Sequence, residues 1–391
     1  MTQIYLDNSA TTALCEAAKN KMTEAMDCYG NPSSLHGVGL AAHEMLEEAR
    51  AQVARTLGVR VGASAGQLIF TSCGSEADNL AILGTAYAKP RRAGGRIITT
   101  DSEHPAVENT MKALERDGFE VVRISTKGGV LDFDQYAKAL TPKTFLVSMM
   151  MVNNETGAVY DVKRAFTMAK AKDVAIVTHT DAVQGYLKCR FTPQLIKADM
   201  VSISAHKIHG PKGVGALYVS PEALKRRDLS AVLFGGGQES GWRAGTENVI
   251  GIVGFGAAAA DQYASLNASL ERMVSRRDYA QKRLSELPVT LNLPIGARAP
   301  HVLSLTLPDI KSETMLSELS KHGICVSSGS ACSSHSKNLS ATLTAFGLTP
   351  EQIDSTIRIS LCAQNTEAEI DSLISVLGEA IDRLVRIHHA K

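Results

Sequence analysis

Aromatic residues are scarce in this 391-residue chain, at 5%, with a single tryptophan among them. No basic run is interleaved with aromatics, so the stacking platforms that hold single-stranded nucleic acid are missing. Neither sign of charge is in excess. Lys and Arg number 41 against 40 Asp and Glu, a net charge of +1, which gives no support to a nucleic-acid or membrane-surface partner. Long hydrophobic runs are missing too. The longest small and apolar stretch, near 251–260, is ended by Asp261, far short of the roughly 20 residues that span a bilayer. Met1 to Asp7 carry neither a basic region nor an apolar one, so no secretory signal is expected. Seven cysteines without paired spacing argue against a disulfide framework and for a reducing compartment, and the expected location is cytoplasmic. His206 and His209 are close in sequence, but no Cys/His cluster with zinc spacing surrounds them, and no metal site is expected.

What the chain does have is alternation. Ala41, Ala42, Met45, Leu46, Ala49, Val53 and Leu57 recur at helical spacing. Seven short apolar runs follow, at Leu68–Phe70, Arg96–Thr99, Val121–Val122, Phe145–Val147, Val174–Val177, Met200–Ile203 and Val214–Val219. Helical segments such as Glu76–Tyr87 and Lys163–Lys172 separate several of them. Continuous rather than alternating strands imply a sheet covered on both faces, and strand–helix alternation implies an α/β architecture with a mostly parallel sheet. Past Asn248 the texture changes. One long helical stretch is expected from about Val249 to Leu287, then elements at His301–Leu307, Glu313–Lys321, Arg358–Leu361 and Glu367–Ile387. This reads as a large domain over 14–255 and a smaller α/β domain made of 1–13 with 256–391. A Ser/Gly-rich segment, Ser327 to Ser336, reads as a flexible linker or loop.

Three segments carry candidate chemistry. Lys207 follows a strand directly, in Ser204-Ala205-His206-Lys207, where an ammonium is costly to bury. It is either a surface-turn lysine or a Schiff-base lysine. Asp181 ends the preceding strand, in Thr180-Asp181-Ala182-Val183-Gln184, as a helix cap or as the partner of a pyridinium nitrogen. The two on consecutive strands are more specific than either alone, because ligands of α/β sheets bind at the strands' carboxyl ends. In Thr71-Ser72-Cys73-Gly74-Ser75-Glu76 a strand runs through small residues into a helix, where an anion is favoured, although a plain Ser cap predicts the same residues.

With these segments in place the chain resembles a cysteine desulfurase of the nitrogen-fixation and iron–sulfur-cluster type, in aminotransferase class V. The resemblance covers nearly the whole chain. It is carried in order by Tyr5-Leu6-Asp7-Asn8-Ser9-Ala10-Thr11-Thr12, by Gly30-Asn31-Pro32-Ser33-Ser34 with His36, by Ser102-Glu103-His104, by Val152-Asn153-Asn154-Glu155-Thr156-Gly157, by Arg243-Ala244-Gly245-Thr246-Glu247-Asn248, and by Ser327-Ser328-Gly329-Ser330-Ala331-Cys332. It implies pyridoxal phosphate fold type I, aspartate-aminotransferase-like, with a seven-stranded mostly parallel sheet. It also implies a pyridoxal 5'-phosphate cofactor on Lys207, stacked by His104. Asp181 would pair with the ring nitrogen, Gln184 and Asn154 would contact the ring oxygen or the substrate, and Gly74, Ser75, Ser204 and His206 would hold the phosphate. Thr246 would reach the phosphate of a neighbouring subunit in a homodimer, and Arg358 would clamp the substrate carboxylate.

The implied reaction converts L-cysteine to L-alanine and leaves the sulfur as a persulfide on Cys332. The sulfur then passes to a protein acceptor in iron–sulfur cluster assembly or tRNA thiolation. A nucleophile loop at about 327–340 suits a thiol that must reach the cofactor and then a partner. His335 and Lys337 near it would favour thiolate, and a transient shared cluster at Cys332 is compatible with the family. Selenocysteine lyase and a non-catalytic sulfur carrier or docking protein are the alternatives. Two departures stand out. Cys362 follows Leu361 where many relatives have Gly, and the chain stops soon after its last helix, without the longer tail of relatives that dock a cluster scaffold.

Overall fold

The computed structural model describes residues 3–62, 65–328 and 339–389. The seven expected runs form one sheet, of strands β1 (Gln67–Thr71), β2 (Arg96–Thr100), β3 (Glu120–Ile124), β4 (Thr144–Ser148), β5 (Val177–Asp181), β6 (Met200–Ser204) and β7 (Gly215–Val219). Their spatial order is β1-β7-β6-β5-β4-β2-β3. The pairings from β3 across to β6 are parallel, and β7 runs antiparallel to both its neighbours. Successive residues feed opposite cores. Met200, Leu217 and Val219 pack with helices Gly74–Tyr87 and Pro105–Arg116. Val201, Ala216 and Tyr218 pack with helices Gly37–Thr56, Val162–Lys172 and Val249–Ala264. Both faces are therefore dry, which is why these strands read as unbroken apolar runs.

Two elements differ from the sequence reading. β5 begins at Val177, where the expected run ended. Val174 is 71% exposed, while the buried strand is Val177-Thr178-His179-Thr180-Asp181. Two of its polar side chains, Thr178 and His179, are partnered there, while the Thr180 hydroxyl has no hydrogen-bond partner among the described residues. His179 lies between Ser148 Oγ (2.8 Å) and Ser202 Oγ (2.9 Å), and the Thr178 hydroxyl donates to the Lys197 carbonyl. The long helix is also two helices, Val249–Ala264 and Leu266–Leu284, bent by 74°. The first is buried on nearly all sides as far as Ala259 and exposed in its last turn, whereas in the second only one face is buried, at Ser269, Met273, Arg277, Ala280 and Leu284. The bend lets each follow its own core. No single helix among the described residues is long and apolar enough to cross a membrane.

A second core, with Leu303, Leu305, Ile357, Ile359, Leu373 and Leu377, also takes in Leu6 from the start of the chain. Its sheet is antiparallel, in the order Ser327–Ser328, Thr356–Ser360, Val302–Thr306, Thr290–Leu291. Ile4–Tyr5 pairs in parallel with Ile324–Cys325, and Asp7 bridges to Ser360. This brings Asn8 to Thr12 under the carboxyl ends of β5 and β6.

Candidate active site

The carboxyl ends of β5 and β6 are adjacent, with Asp181 in register with Ser202. Lys207 closes the single turn Ala205–Lys207 immediately after β6. Its Nζ donates to the carbonyls of Ser9 (2.6 Å) and Ala10 (2.7 Å), so the N-terminal segment forms one wall. Asp181 is buried, and its Oδ1 accepts from the Val183 N–H at 2.9 Å. Burial pushes its carboxyl above the ordinary value, while His104 and Lys207 pull it back.

His104 caps helix Pro105–Arg116, with Nδ1 accepting from the Ala106 N–H at 3.1 Å. That bond leaves Nε2 as the protonated nitrogen of a neutral ring. Burial lowers the imidazole's pKa, Asp181 opposes that shift, and Lys207 adds to it. A cleft of about 370 Å³ opens beside it, lined by Ser75, Asn79, His104, Asn109 and Thr110 among others.

The helix that starts at Gly74 is capped by the extended residue Cys73, with no side-chain cap hydrogen bond. Ser75 is therefore not its cap, and the first-turn N–H groups face the strand ends, a setting that favours an anion. A Cβ on Gly74 would stand 2.8 Å from Val183 Cγ2, and one on Gly215 would stand 2.5 Å from the Cys73 carbonyl carbon. Only glycine allows this backbone to lie so close. Ser204 Oγ is buried without a hydrogen-bond partner among the described residues, an expense a fold seldom bears without a ligand to satisfy it. His206 Nδ1 lies 3.2 Å from Thr11 Oγ1, and burial with the nearby lysines pulls its pKa down to about 4.

Arg358, 2% exposed, spans Asp7 Oδ1 (2.8 Å) and the Asn154 carbonyl (3.0 Å), and its buried Nε has no hydrogen-bond partner among the described residues. A buried Arg needs a counter-anion, and Asp7 is one that sequence reasoning did not single out. Gln184 Nε2 donates to the Ser9 carbonyl at 2.8 Å. Lys207, Asp181, His104, Gln184, Ser204, His206, Asn154 and Arg358 thus surround one region. Thr246 does not join them within this chain. It is exposed and lines a separate cleft of about 230 Å³ with Ser72 and Arg243. Cys332, His335 and Lys337 lie outside the described residues.

Other buried ionisable groups line the site and carried no motif of their own. Asp78 sits on the inner face of the Gly74 helix, 1% exposed and 3.7 Å from His179 Nε2. Burial, reinforced by Asp181, pushes its carboxyl well up, and burial pulls His179 down to about 3. Two signals were available: Asp78 is one helical turn past Gly74, and His179 is two residues before Asp181 on the same strand face. Lys188 is buried four residues after Gln184.

The aminotransferase class-V family matches residues 4–373, and the chain belongs to that family. A cysteine desulfurase of Trichormus azollae is 42% identical over 98% of this chain and 94% of its own length. A cysteine desulfurase IscS of Dictyoglomus turgidum is 37% identical over 98% and 95%. Among solved structures, a NifS-like protein superposes with a TM-score of 0.89 at 35% identity, over 97% of this chain and all of that one. SspA in complex with cysteine superposes with a TM-score of 0.79 at 32% identity, over 93% and 100%. Within the class-V family this chain is a cysteine desulfurase, and its fold is that of the pyridoxal phosphate type I enzymes.

Proposed function

We propose that this chain binds pyridoxal 5'-phosphate through Lys207 and carries the sulfur of L-cysteine as a persulfide on Cys332. The observation that supports the reading most is Asp181 and Lys207 on adjacent strand ends beside the unpartnered Ser204 hydroxyl. The residues present fit the cofactor. Lys207 supplies the amine, and the Gly74–Ser75 helix start, Ser204 and His206 supply donors for the phosphate. Asp181 supplies the carboxylate for the ring nitrogen, and His104 a flat neutral ring. When bound, the cofactor supplies an electron sink at the substrate's α-carbon.

The chain's own groups do the rest. Lys207 Nζ takes the α-proton as general base, held in place by the Ser9 and Ala10 carbonyls. Arg358 offers its unpaired Nε edge to the substrate carboxylate, a planar fork suited to that task. Gln184 and Asn154 orient the reacting end. Cys332 Sγ, as thiolate, forms the new S–S bond while the substrate's C–S bond breaks. The electron pair goes to the carbon, which takes up a proton and leaves as alanine. The persulfide then passes to a protein acceptor, in cluster assembly or tRNA thiolation.

A cytoplasmic homodimer completes the reading. Tyr29, Leu35 and Phe234 are 85%, 90% and 84% exposed, large apolar side chains that a second copy would cover, and Thr246 would reach the neighbour's phosphate.

Cys332→Ala is the decisive variant. It is expected to keep the cofactor's visible absorbance and to lose persulfide formation on L-cysteine. Continued alanine and sulfide production by that variant would overturn the assigned nucleophile. Retained turnover on selenocysteine alone would favour the lyase alternative.

A further inference from the structure

Lys188 has no role in the reaction as derived above, yet its position is costly. It is 7% exposed and follows Leu187, which holds a left-handed φ of 55° while itself buried, a conformation leucine rarely adopts. Its Nζ reaches Gln184 Oε1 at 3.4 Å, and among the described residues it has no carboxylate partner. The charged or titratable groups facing it are Lys207, Arg358, Cys189 and Cys362. Its own charge is felt at His206, His209 and His301. The nearby acids are engaged elsewhere, Asp7 with Arg358 and Asp261 beside His209. Burial, helped by Lys207, pulls the ammonium down to about 7. Both its forms still carry N–H donors, three when charged and two when neutral.

The neighbour from the other core does the same. His301 is fully buried and places Nε2 3.3 Å from the same Gln184 Oε1. Its Nδ1 is buried without a hydrogen-bond partner among the described residues, and burial keeps the ring neutral, so the proton that satisfies the contact sits on Nε2. Two donors therefore converge on one amide oxygen. The amide nitrogen is left to donate to the Ser9 carbonyl at 2.8 Å, the carbonyl that Lys207 Nζ also binds at 2.6 Å. A flipped amide would set its oxygen against that carbonyl and its NH₂ against two donors.

We propose that Lys188, with His301, is a positioning residue for the desulfurase reaction: the pair fixes the Gln184 amide so that its N–H edge faces the Lys207 side of the site. The inference rests on the cofactor reading above. It assigns Lys188 an action through Gln184 rather than a direct contact with substrate.

The test is a double-mutant cycle on the holoenzyme, read as the pH midpoint of the cofactor's visible absorbance band. Lys188→Met is expected to move that midpoint by about half a pH unit or more. In a Gln184→Ala background it is expected to move it by less than half as much, because the amide it orients is gone. His301→Leu is read in the same way and serves if Lys188→Met does not fold. An unmoved midpoint in the single variants, or an equal shift in both backgrounds, would overturn the proposal, since a purely structural or through-space effect does not need Gln184. No visible band in the unaltered protein would overturn the cofactor reading itself, so the two failures are distinguishable.

Discussion

β6 has two unlike ends. Asp199, just before its amino end, accepts from Arg226, Lys170 and the Thr178 backbone. Asp228, which shares Arg226, is fully buried and meets Lys89 and Arg92 as well. Burial would raise the Asp228 carboxyl, but those cations outweigh it and hold the pKa below the ordinary value. At the carboxyl end the balance reverses. Asp181 and Asp78 are pushed up, Lys188 is pulled down, and among the described residues Ser204 Oγ and one Asp78 oxygen accept or donate no hydrogen bond. The same strand is closed off by cations at one end and left unsatisfied at the other. Under-partnered groups concentrated in one place mark where a ligand completes the electrostatics, and their cost is borne by packing elsewhere.

Several variants would break or sharpen that contrast. Lys207→Ala should have the largest effect, at the open end. Turnover is expected to fall by about 10³-fold or more while the melting temperature of the cofactor-free protein stays close to that of the parent. A large loss of folding instead would make Lys207 structural and erase the asymmetry. Asp228→Asn probes the closed end. It leaves Lys89, Arg92 and Arg226 without their buried carboxylate and is expected to cost about 3 kcal/mol in denaturant unfolding, with kcat unchanged.

Glu103 gives a pH signature. It is 7% exposed, accepts from the Met150 N–H and the Thr100 hydroxyl, and is pushed by burial to about 8. The folded state therefore binds this proton more tightly than the unfolded chain does. The resulting stability is fully present below the unfolded value near 4.5 and is lost as pH rises through about 8. Thermal melts of cofactor-free protein from pH 5 to 9 should decline, and Glu103→Gln should flatten that decline. At the small end, Lys19→Ala removes an exposed pair with Glu16 and is expected to change unfolding by no more than about 0.5 kcal/mol. A larger change there would mean that surface pairs matter more to this fold than burial implies.

The sheet was legible in the sequence because both its faces are dry, so its strands stand out as apolar runs. β5 was misplaced for the opposite reason. Its Thr178, His179 and Thr180 are polar yet buried, and the first two are satisfied by partners on β4, β6 and the loop before β6, which no local pattern reveals. The bend after Ala264 was missed because helical propensity continues across it, and what changes is the core each half follows. Of the site, Lys207, Asp181 and Gly74 were legible as strand-end and helix-start residues. Asp7 as the counter-anion of Arg358 was not, because the two are 351 positions apart. Lys188 was hidden in an ordinary-looking turn, and the acceptor it shares with His301 brings together residues more than a hundred positions apart.

One pairing described above also measures a leash. Ser327 and Ser328 are hydrogen-bonded into the small sheet opposite Arg358 and Ile357, and Cys332 is four residues further on. Four extended residues span at most about 14 Å. On the proposed reading, an acceptor that takes sulfur from Cys332 has to come within about that backbone span of the sheet edge, lengthened only by the reach of one side chain, so delivery is limited by how closely a partner can approach and not by how far the enzyme can throw.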